Sequence, residues 1–117
     1  MGKGCTHDFG IVEDAAALPE EIGYEPEKYG CVWIDDDYLE DWWPRLESIP
    51  AFFHTLDRPE RGLARYGITL IPPGSLPALE EIVLSDRRVQ TDEQLVELSR
   101  VIREAIRRGK FVIHFGV

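Results

Sequence analysis

The last third of the chain has the most regular pattern of apolar and polar positions. Apolar residues recur at intervals of three and four within residues 95–106, which is the spacing of one helix face. Thr91 and Gln94 have the spacing of a capping box, and Gly109 is placed to end the helix in a left-handed conformation. Residues 110–117 are apolar without alternation, which predicts a strand covered on both faces.

The middle of the chain contains two strand-like runs and a helix. Residues 51–56 and 63–71 are rich in aromatic and β-branched residues, and turn-forming residues separate them, so they predict an antiparallel hairpin. Ser75 then stands at the N-cap of an amphipathic stretch, which predicts a second helix. Because two helices separate this hairpin from the C-terminal strand, the pattern allows a right-handed parallel crossover.

The first third of the chain is less regular. Residues 1–28 contain scattered glycine, proline and short apolar pieces, which indicates a mostly irregular arm whose residues 9–12 form at most a short edge strand. Residues 30–34 give the first strong strand signal. A helix follows, with one of the next aspartates as its cap and a kink or break at Pro44, since an interior proline costs roughly 3 kcal/mol.

These elements predict one domain over residues 1–117, of α/β or α+β class, in the order β-α-β-β-α-α-β. We expect a four- to five-stranded mixed sheet with three helices packed against it. A chain of 117 residues can bury a core without disulfides or a metal ion. Residues 1–8 lack the apolar segment of a secretory signal, which predicts a cytoplasmic protein with no membrane segment and with Cys5 and Cys31 as reduced thiols.

The charge is negative and unevenly distributed. The net charge is −9, and residues 1–60 contain fifteen acidic and four basic side chains, whereas residues 61–117 contain seven and nine. A charge of this sign disfavours binding to nucleic acid or to anionic membranes, and it favours either a basic protein partner or simply solubility.

Residues 33–43 are the sharpest local feature, with five carboxylates and four aromatic rings among eleven residues. Aromatic anchors beside carboxylates suit an interface with a basic protein. The alternative is that the aspartates are helix caps and the aromatic rings belong to the core. Two adjacent tryptophans on a helix point about 100° apart, so both are hard to bury. The predicted partner-binding residues are Asp35, Asp36, Asp37, Glu40, Asp41, Trp42 and Trp43.

An enzyme is the alternative to a binding protein. A histidine, a carboxylate and guanidinium groups around the hairpin could bind and cleave an anionic substrate. No nucleophile elbow, phosphate-binding loop or dinucleotide motif supports this, so no catalytic residue is assigned, and His114 in its apolar strand reads as a hydrogen-bonded core residue. The residues of this alternative ligand site are His54, Asp57, Arg58, Arg61 and Arg65.

The histidines and cysteines do not have the spacing of a metal site. No Cys-x-x-Cys or His-Glu-x-x-His motif occurs, and the set that would have to converge is scattered along the chain. We therefore predict no metal and no cofactor. The residues of that set are Cys5, His7, Asp8, Cys31, His54 and His114.

Residues 52–73 and 111–117 resemble a group of small uncharacterised bacterial proteins, some of which resemble immunity proteins of toxin systems. The likeness covers most of the chain from Tyr24 onward and implies no catalytic residue. It implies a protein that binds and neutralises a partner, and an acidic inhibitor suits a basic nuclease toxin. A homodimer through an open sheet edge or through Trp42 and Trp43 is a further possibility.

Overall fold

Residues 5–117, which the computed structural model describes, form one open sheet of six antiparallel strands and three α-helices. The strand order across the sheet is β2-β1-β6-β5-β3-β4. The strands are β1 (Thr6–Val12), β2 (Val32–Asp35), β3 (Pro50–Phe53), β4 (Pro59–Arg61), β5 (Ile68–Ile71) and β6 (Phe111–Phe115). The helices are α1 (Asp36–Leu46), α2 (Leu76–Ser85) and α3 (Glu93–Arg108).

The fold is therefore α+β, and the prediction of four to five strands in a mixed sheet is wrong. Every strand pair in the sheet is antiparallel. The predicted pairing of β3 with β5 is confirmed, but the supposed turn between them contains β4, which pairs with the other side of β3. All three residues of β4 are exposed, so no apolar pattern marked it as a strand.

The parallel crossover that the pattern allows does not occur, because β5 and β6 are antiparallel neighbours. One helix between two strands returns the chain to the end of the sheet where it started. Two successive helices, here α2 and α3, carry the chain along the sheet and back again. The strand β6 therefore starts at the end of the sheet where β5 finishes, and it runs antiparallel to β5.

The N-terminal strand is longer and more central than expected. β1 starts at Thr6 and pairs with β2 on one side and β6 on the other, so the predicted edge strand is an interior strand. At Gly10 an added Cβ would lie 2.6 Å from the Tyr29 carbonyl oxygen, so only glycine allows the chain to cross so closely. Residues 13–28 contain no strand and only short 3-10 turns, and residues 1–4 of the predicted arm lie outside the described residues.

The sheet is covered on both faces. The three helices pack on one face and form the larger core cluster with alternate residues of β1, β2, β5 and β6. On the other face, partly buried residues from the segment after β1 cover a smaller cluster. That smaller cluster consists of Val12, Ile68, Leu70, Ile113 and Phe115.

The helix ends agree with the sequence only in part. Gly109 ends α3 with φ of 65°, as predicted, but the N-cap is Asp92, whose carboxylate accepts from the Gln94 amide, and not Thr91. Ser75 is at the N-cap of α2 but donates to the Pro50 carbonyl. The apolar stripe of α3 is buried as predicted, through Leu95, Leu98, Ile102 and Ala105.

The helix α1 is one element and does not split at Pro44. Pro44 lies in its last turn, where its ring removes a single backbone bond, to the Glu40 carbonyl. Asp35 is at the N-cap position but makes no side-chain cap bond, and the next aspartate turns inward. The predicted aspartate cap is therefore wrong, and α1 carries the candidate site along its length.

Candidate functional site

Three acidic residues lie on the exposed side of α1. Asp37, Glu40 and Asp41 are exposed, and their spacing of three and four residues places them on one helix face. Asp35 is partly buried at the start of the helix. The predicted acidic surface therefore exists, but it is narrower than the sequence suggested.

Trp42 does not belong to that surface. Its side chain is only 3% exposed, and its indole N–H donates to Asp86 Oδ2 at 2.8 Å. Trp43 is partly buried and packs against the core, with the Arg65 guanidinium 6.0 Å from its ring centre. Trp42 therefore does not lie at the surface, where a partner anchor or a dimer patch would need it, because its ring is part of the core. Dimerisation through a sheet edge stays a prediction.

Arg88 joins α1 to the connection between α2 and α3. Its guanidinium contacts Asp41 at 2.8 Å and Asp86 at 2.6 Å, and it lies 4.3 Å from the centre of the Tyr38 ring. Hydrogen bonds from Arg88 hold the pKa of Asp86 far below its usual value. This arrangement, which we call the Arg88 clamp (Tyr38, Asp41, Trp42, Asp86 and Arg88), contains no histidine, the residue type whose ordinary pKa is nearest neutral pH.

Arg65 joins the same helix to the loop 62–67. It pairs closely with Asp36 and lies 3.0 Å from Glu40. Asp36 therefore faces inward and is neutralised within the molecule. Burial alone would raise the pKa of Asp36, but hydrogen bonds from His7 and Arg65 outweigh it, and this pKa lies below its usual value.

Two fully buried histidines lie behind Asp36. His7 of β1 and His114 of β6 are each 0% exposed, and His7 Nδ1 lies 2.8 Å from His114 Nε2. His7 Nε2 lies 2.6 Å from Asp36 Oδ1, and His114 Nδ1 lies 3.1 Å from Thr69 Oγ1. A continuous chain of hydrogen bonds thus runs from Thr69 in the core to Arg65 at the surface.

The positions of the hydrogens in this chain follow from its partners. Asp36 is ionised and accepts, so His7 Nε2 carries a hydrogen. In a neutral ring His7 Nδ1 then accepts, and His114 Nε2 donates to it. His114 Nδ1 is left as an acceptor for the Thr69 hydroxyl, whose oxygen accepts from the Ala64 amide at 2.8 Å. Both rings are neutral, and burial lowers the pKa of each histidine, that of His114 most strongly.

The alternative ligand site does not converge. His54, Asp57 and Arg61 border three different shallow depressions, and Arg58 is exposed. His54 has a φ of 67°, and its ring packs over Gly67, where an added Cβ would lie 2.7 Å away. The depressions beside His54 and Asp57 are neighbours that share Thr55, whereas Arg61 borders a separate one. The groups are therefore not gathered in one pocket, and the hydrolase interpretation stays a prediction.

The cysteines are also far apart. Cys31 lies opposite Gly10 in the register of β1 and β2, whereas Cys5 precedes the start of β1. Five residues of extended strand separate the two positions by roughly 17 Å, which is too far for a disulfide. Burial raises the pKa of Cys31 to about 12. No cluster of three metal-ligating side chains occurs within residues 5–117.

The sequence did not reveal the histidine chain. It correctly indicates His114 as a hydrogen-bonded core residue, but it presents His7 only as a candidate metal ligand. Its partner lies 107 residues away. The local signal was confined to His114, a polar ring in an apolar strand, because His7 lies between Thr6 and Asp8.

Comparisons of the chain with protein-family models, with curated proteins and with solved structures find no match. No helix in the described part of the chain is long and apolar enough to cross a membrane.

Proposed function

We propose that the protein is an acidic binding module that docks a basic protein partner through the exposed face of α1. Immunity-like inhibition of a basic toxin is the role that suits such a surface best. The observation that carries the proposal is the stripe of Asp37, Glu40 and Asp41 along a helix held in place by two arginines. On a protein of net charge −9, such a stripe attracts cationic side chains.

The ion pairs along this stripe leave it available to a partner. Glu40 and Asp41 pair with Arg65 and Arg88, yet these carboxylates are 57% and 62% exposed. Exposed ion pairs typically contribute only about 0–1 kcal/mol, so a lysine or arginine of a partner can compete for them. Asp37 has no ion pair among residues 5–117. Trp43, partly buried beside Arg65, supplies an aromatic edge to the same surface.

The test is a charge reversal on α1 with a matched control. A partner captured from the source cells is identified, purified and measured by association kinetics at low and high salt. We expect Asp37→Lys with Asp41→Lys to lower the association rate by about tenfold at low salt. The control, Glu60→Lys with Glu81→Lys, makes the same change of charge at exposed positions on β4 and α2.

Equal effects of the two double variants would mean that only net charge matters, and the α1 surface would be wrong. A captured partner that is itself acidic, or binding that does not weaken as salt rises, would contradict the proposal as a whole.

A further inference from the structure

The histidine pair can hold at most one extra proton while its geometry is intact. The two facing nitrogens are 2.8 Å apart, which leaves room for one hydrogen between them. If both rings were imidazolium, two N–H groups would point at each other across this distance. His7 and His114 therefore titrate as one unit, and the second proton requires the pair to separate.

The place of the added proton follows from counting hydrogens. In the neutral pair, one hydrogen lies between the rings and one lies on His7 Nε2, facing Asp36. The remaining nitrogen is His114 Nδ1, so it carries the added hydrogen whichever ring is assigned the positive charge. His114 Nδ1 must then donate to Thr69, and the Thr69 hydroxyl must turn its own hydrogen elsewhere.

Reversal of the hydrogen bond between His114 and Thr69 also affects the loop 62–67. Thr69 Oγ1 already accepts from the Ala64 amide, so protonation makes one oxygen accept two hydrogen bonds and changes the bond that holds the loop. The loop in turn carries the C-terminal residues, because Gly116 donates to the Gly67 carbonyl at 2.7 Å and Val117 donates to the Arg65 carbonyl at 2.9 Å.

The new charge also acts on Arg65 directly. A positive histidine pair and the guanidinium would share one carboxylate, that of Asp36. The charged groups that face the pair are Asp36 of α1, Asp8 of β1 and Arg65 of the loop, and the rest of its surroundings include the Phe9 ring, 4.9 Å from that of His114. Arg65 is the one cation in this set, so proton uptake weakens its hold on α1.

We propose that His7 and His114 form a one-proton switch, in which the uptake of one proton loosens the loop 62–67 from α1. This loop carries Tyr66, which at 77% is the most exposed large apolar side chain among residues 5–117. The consequence for binding rests on the proposed function: the histidine pair behind Asp36 gains one positive charge, which weakens the attraction of the acidic stripe for a basic partner. The loosening itself needs no partner and is tested on the chain alone.

The experiment is an NMR titration of the protein labelled with ¹⁵N in the histidine rings and the backbone. We expect one proton to be taken up by His7 and His114 together. The amides of Ala64 and Arg65 should shift with the same midpoint. The ring of the third histidine, His54, packs over Gly67, so the titration is repeated in His54→Gln, where the shifts of the Ala64 and Arg65 amides should persist with an unchanged midpoint.

Two variants move the midpoint in opposite directions. Arg65→Gln removes the repelling cation and should raise it, whereas Thr69→Val removes the acceptor of the added hydrogen and should lower it. Thr69→Ser keeps the hydroxyl and should restore the original value, and Arg88→Gln should leave it unchanged. A role confined to packing would not produce these opposite shifts.

The switch is wrong if the two rings titrate as independent histidines, or if both stay neutral until the fold is lost. It is equally wrong if the loop amides do not follow the rings. None of these results bears on the charge-reversal test of α1, so the failure of this inference and the failure of the proposed function can be told apart. For an identified partner, we expect affinity to fall across the midpoint in the wild type and across a lower pH in Thr69→Val.

Discussion

Arg65 and Arg88 both tie α1 to the rest of the molecule, and each does so through two carboxylates. Arg65 bridges Asp36 and Glu40, and Arg88 bridges Asp41 and Asp86. The surroundings differ. In the Arg88 clamp, Asp86 accepts from the Trp42 indole N–H, and the guanidinium lies over the Tyr38 ring. On the other side, the carboxylate that Arg65 contacts accepts from the first of two buried histidines.

The contacts of Arg88 hold α1 in place, whereas the contacts of Arg65 also depend on the protonation of the two histidines. Within the Arg88 clamp, hydrogen bonds from the guanidinium hold the pKa of Asp86 far below its usual value, and the clamp contains no histidine. The chain behind Arg65 contains two groups whose ordinary pKa is near 6.5. The same helix is thus fixed at one point and adjustable at the other.

The largest expected difference is between the inner and outer carboxylates. Asp36→Ala removes the acceptor for a buried histidine N–H and the main partner of Arg65, so we expect a loss of about 3 kcal/mol of unfolding free energy. Asp41→Ala breaks an exposed pair of the Arg88 clamp and should cost less than about 1 kcal/mol. Urea unfolding at neutral pH measures both. Similar losses for the two variants would mean that the buried chain contributes no more than a surface pair.

The pH dependence of stability distinguishes the two arginines further. Because the pKa values of His7 and His114 are lowered in the folded state, the unfolded chain binds more protons once the pH falls below about 6.5. Stability is full above that pH and is lost as pH falls toward the folded pKa values. The slope approaches about 1.4 kcal/mol per pH unit for each histidine.

Unfolding curves from pH 7.5 to 5.0 measure this slope in variants of each arginine. In Arg65→Gln the loss should be smaller, since the pKa of His7 rises toward its ordinary value, whereas Arg88→Gln should keep the wild-type slope. A flat profile in the wild type, or equal slopes in both variants, would contradict the contrast drawn between them.

A smaller effect tests the assignment of Trp42 to the core. Trp42→Phe keeps a buried ring but removes the indole hydrogen bond to Asp86, and we expect a loss of about 1–2 kcal/mol of unfolding free energy. Partner affinity should stay within about twofold of the wild type, because the ring is not at the surface. A large loss of affinity with unchanged stability would return Trp42 to the interface.

The smallest expected change in stability is at Glu40. Glu40→Gln removes one exposed pair with Arg65, so the unfolding free energy should change by less than about 0.5 kcal/mol. The association rate with a basic partner should nevertheless fall, because steering depends on charge and not on stability. Unfolding and kinetic measurements on the same sample separate the two effects. An unchanged association rate would exclude Glu40 from the docking surface.

The parts of the fold that were predictable are those with a local periodic signal. The buried stripe of α3, the left-handed end at Gly109 and the pairing of β3 with β5 all follow from neighbouring residues. The strand β4 has no apolar residue facing a core. β1 includes Gly10, Asp8 and His7, which obscure alternation, so its central place depends on pairing with a strand at the other end of the chain.

The candidate site likewise has one part that local sequence predicts and another part that depends on distant residues. Exposed carboxylates on α1 could be found from helical spacing alone, because position on a helix face is local. Which tryptophan is buried depends on where Asp86 lies, and the role of Asp36 depends on His7 and Arg65. These partners are brought together only by the sheet order and the loop 62–67. The sequence analysis therefore placed too many residues of α1 on the surface, and it missed most of the buried hydrogen-bond chain that joins Asp36, His7 and His114.

A chemical-shift map of the ¹⁵N-labelled protein in complex with its purified basic partner tests the central claim most directly. We expect the largest changes at Asp37, Glu40, Asp41 and Trp43, with smaller changes in the loop 62–67 and almost none on the arginine-bearing face of α3. Changes centred on α3 or on β4, with the α1 signals unmoved, would contradict the account.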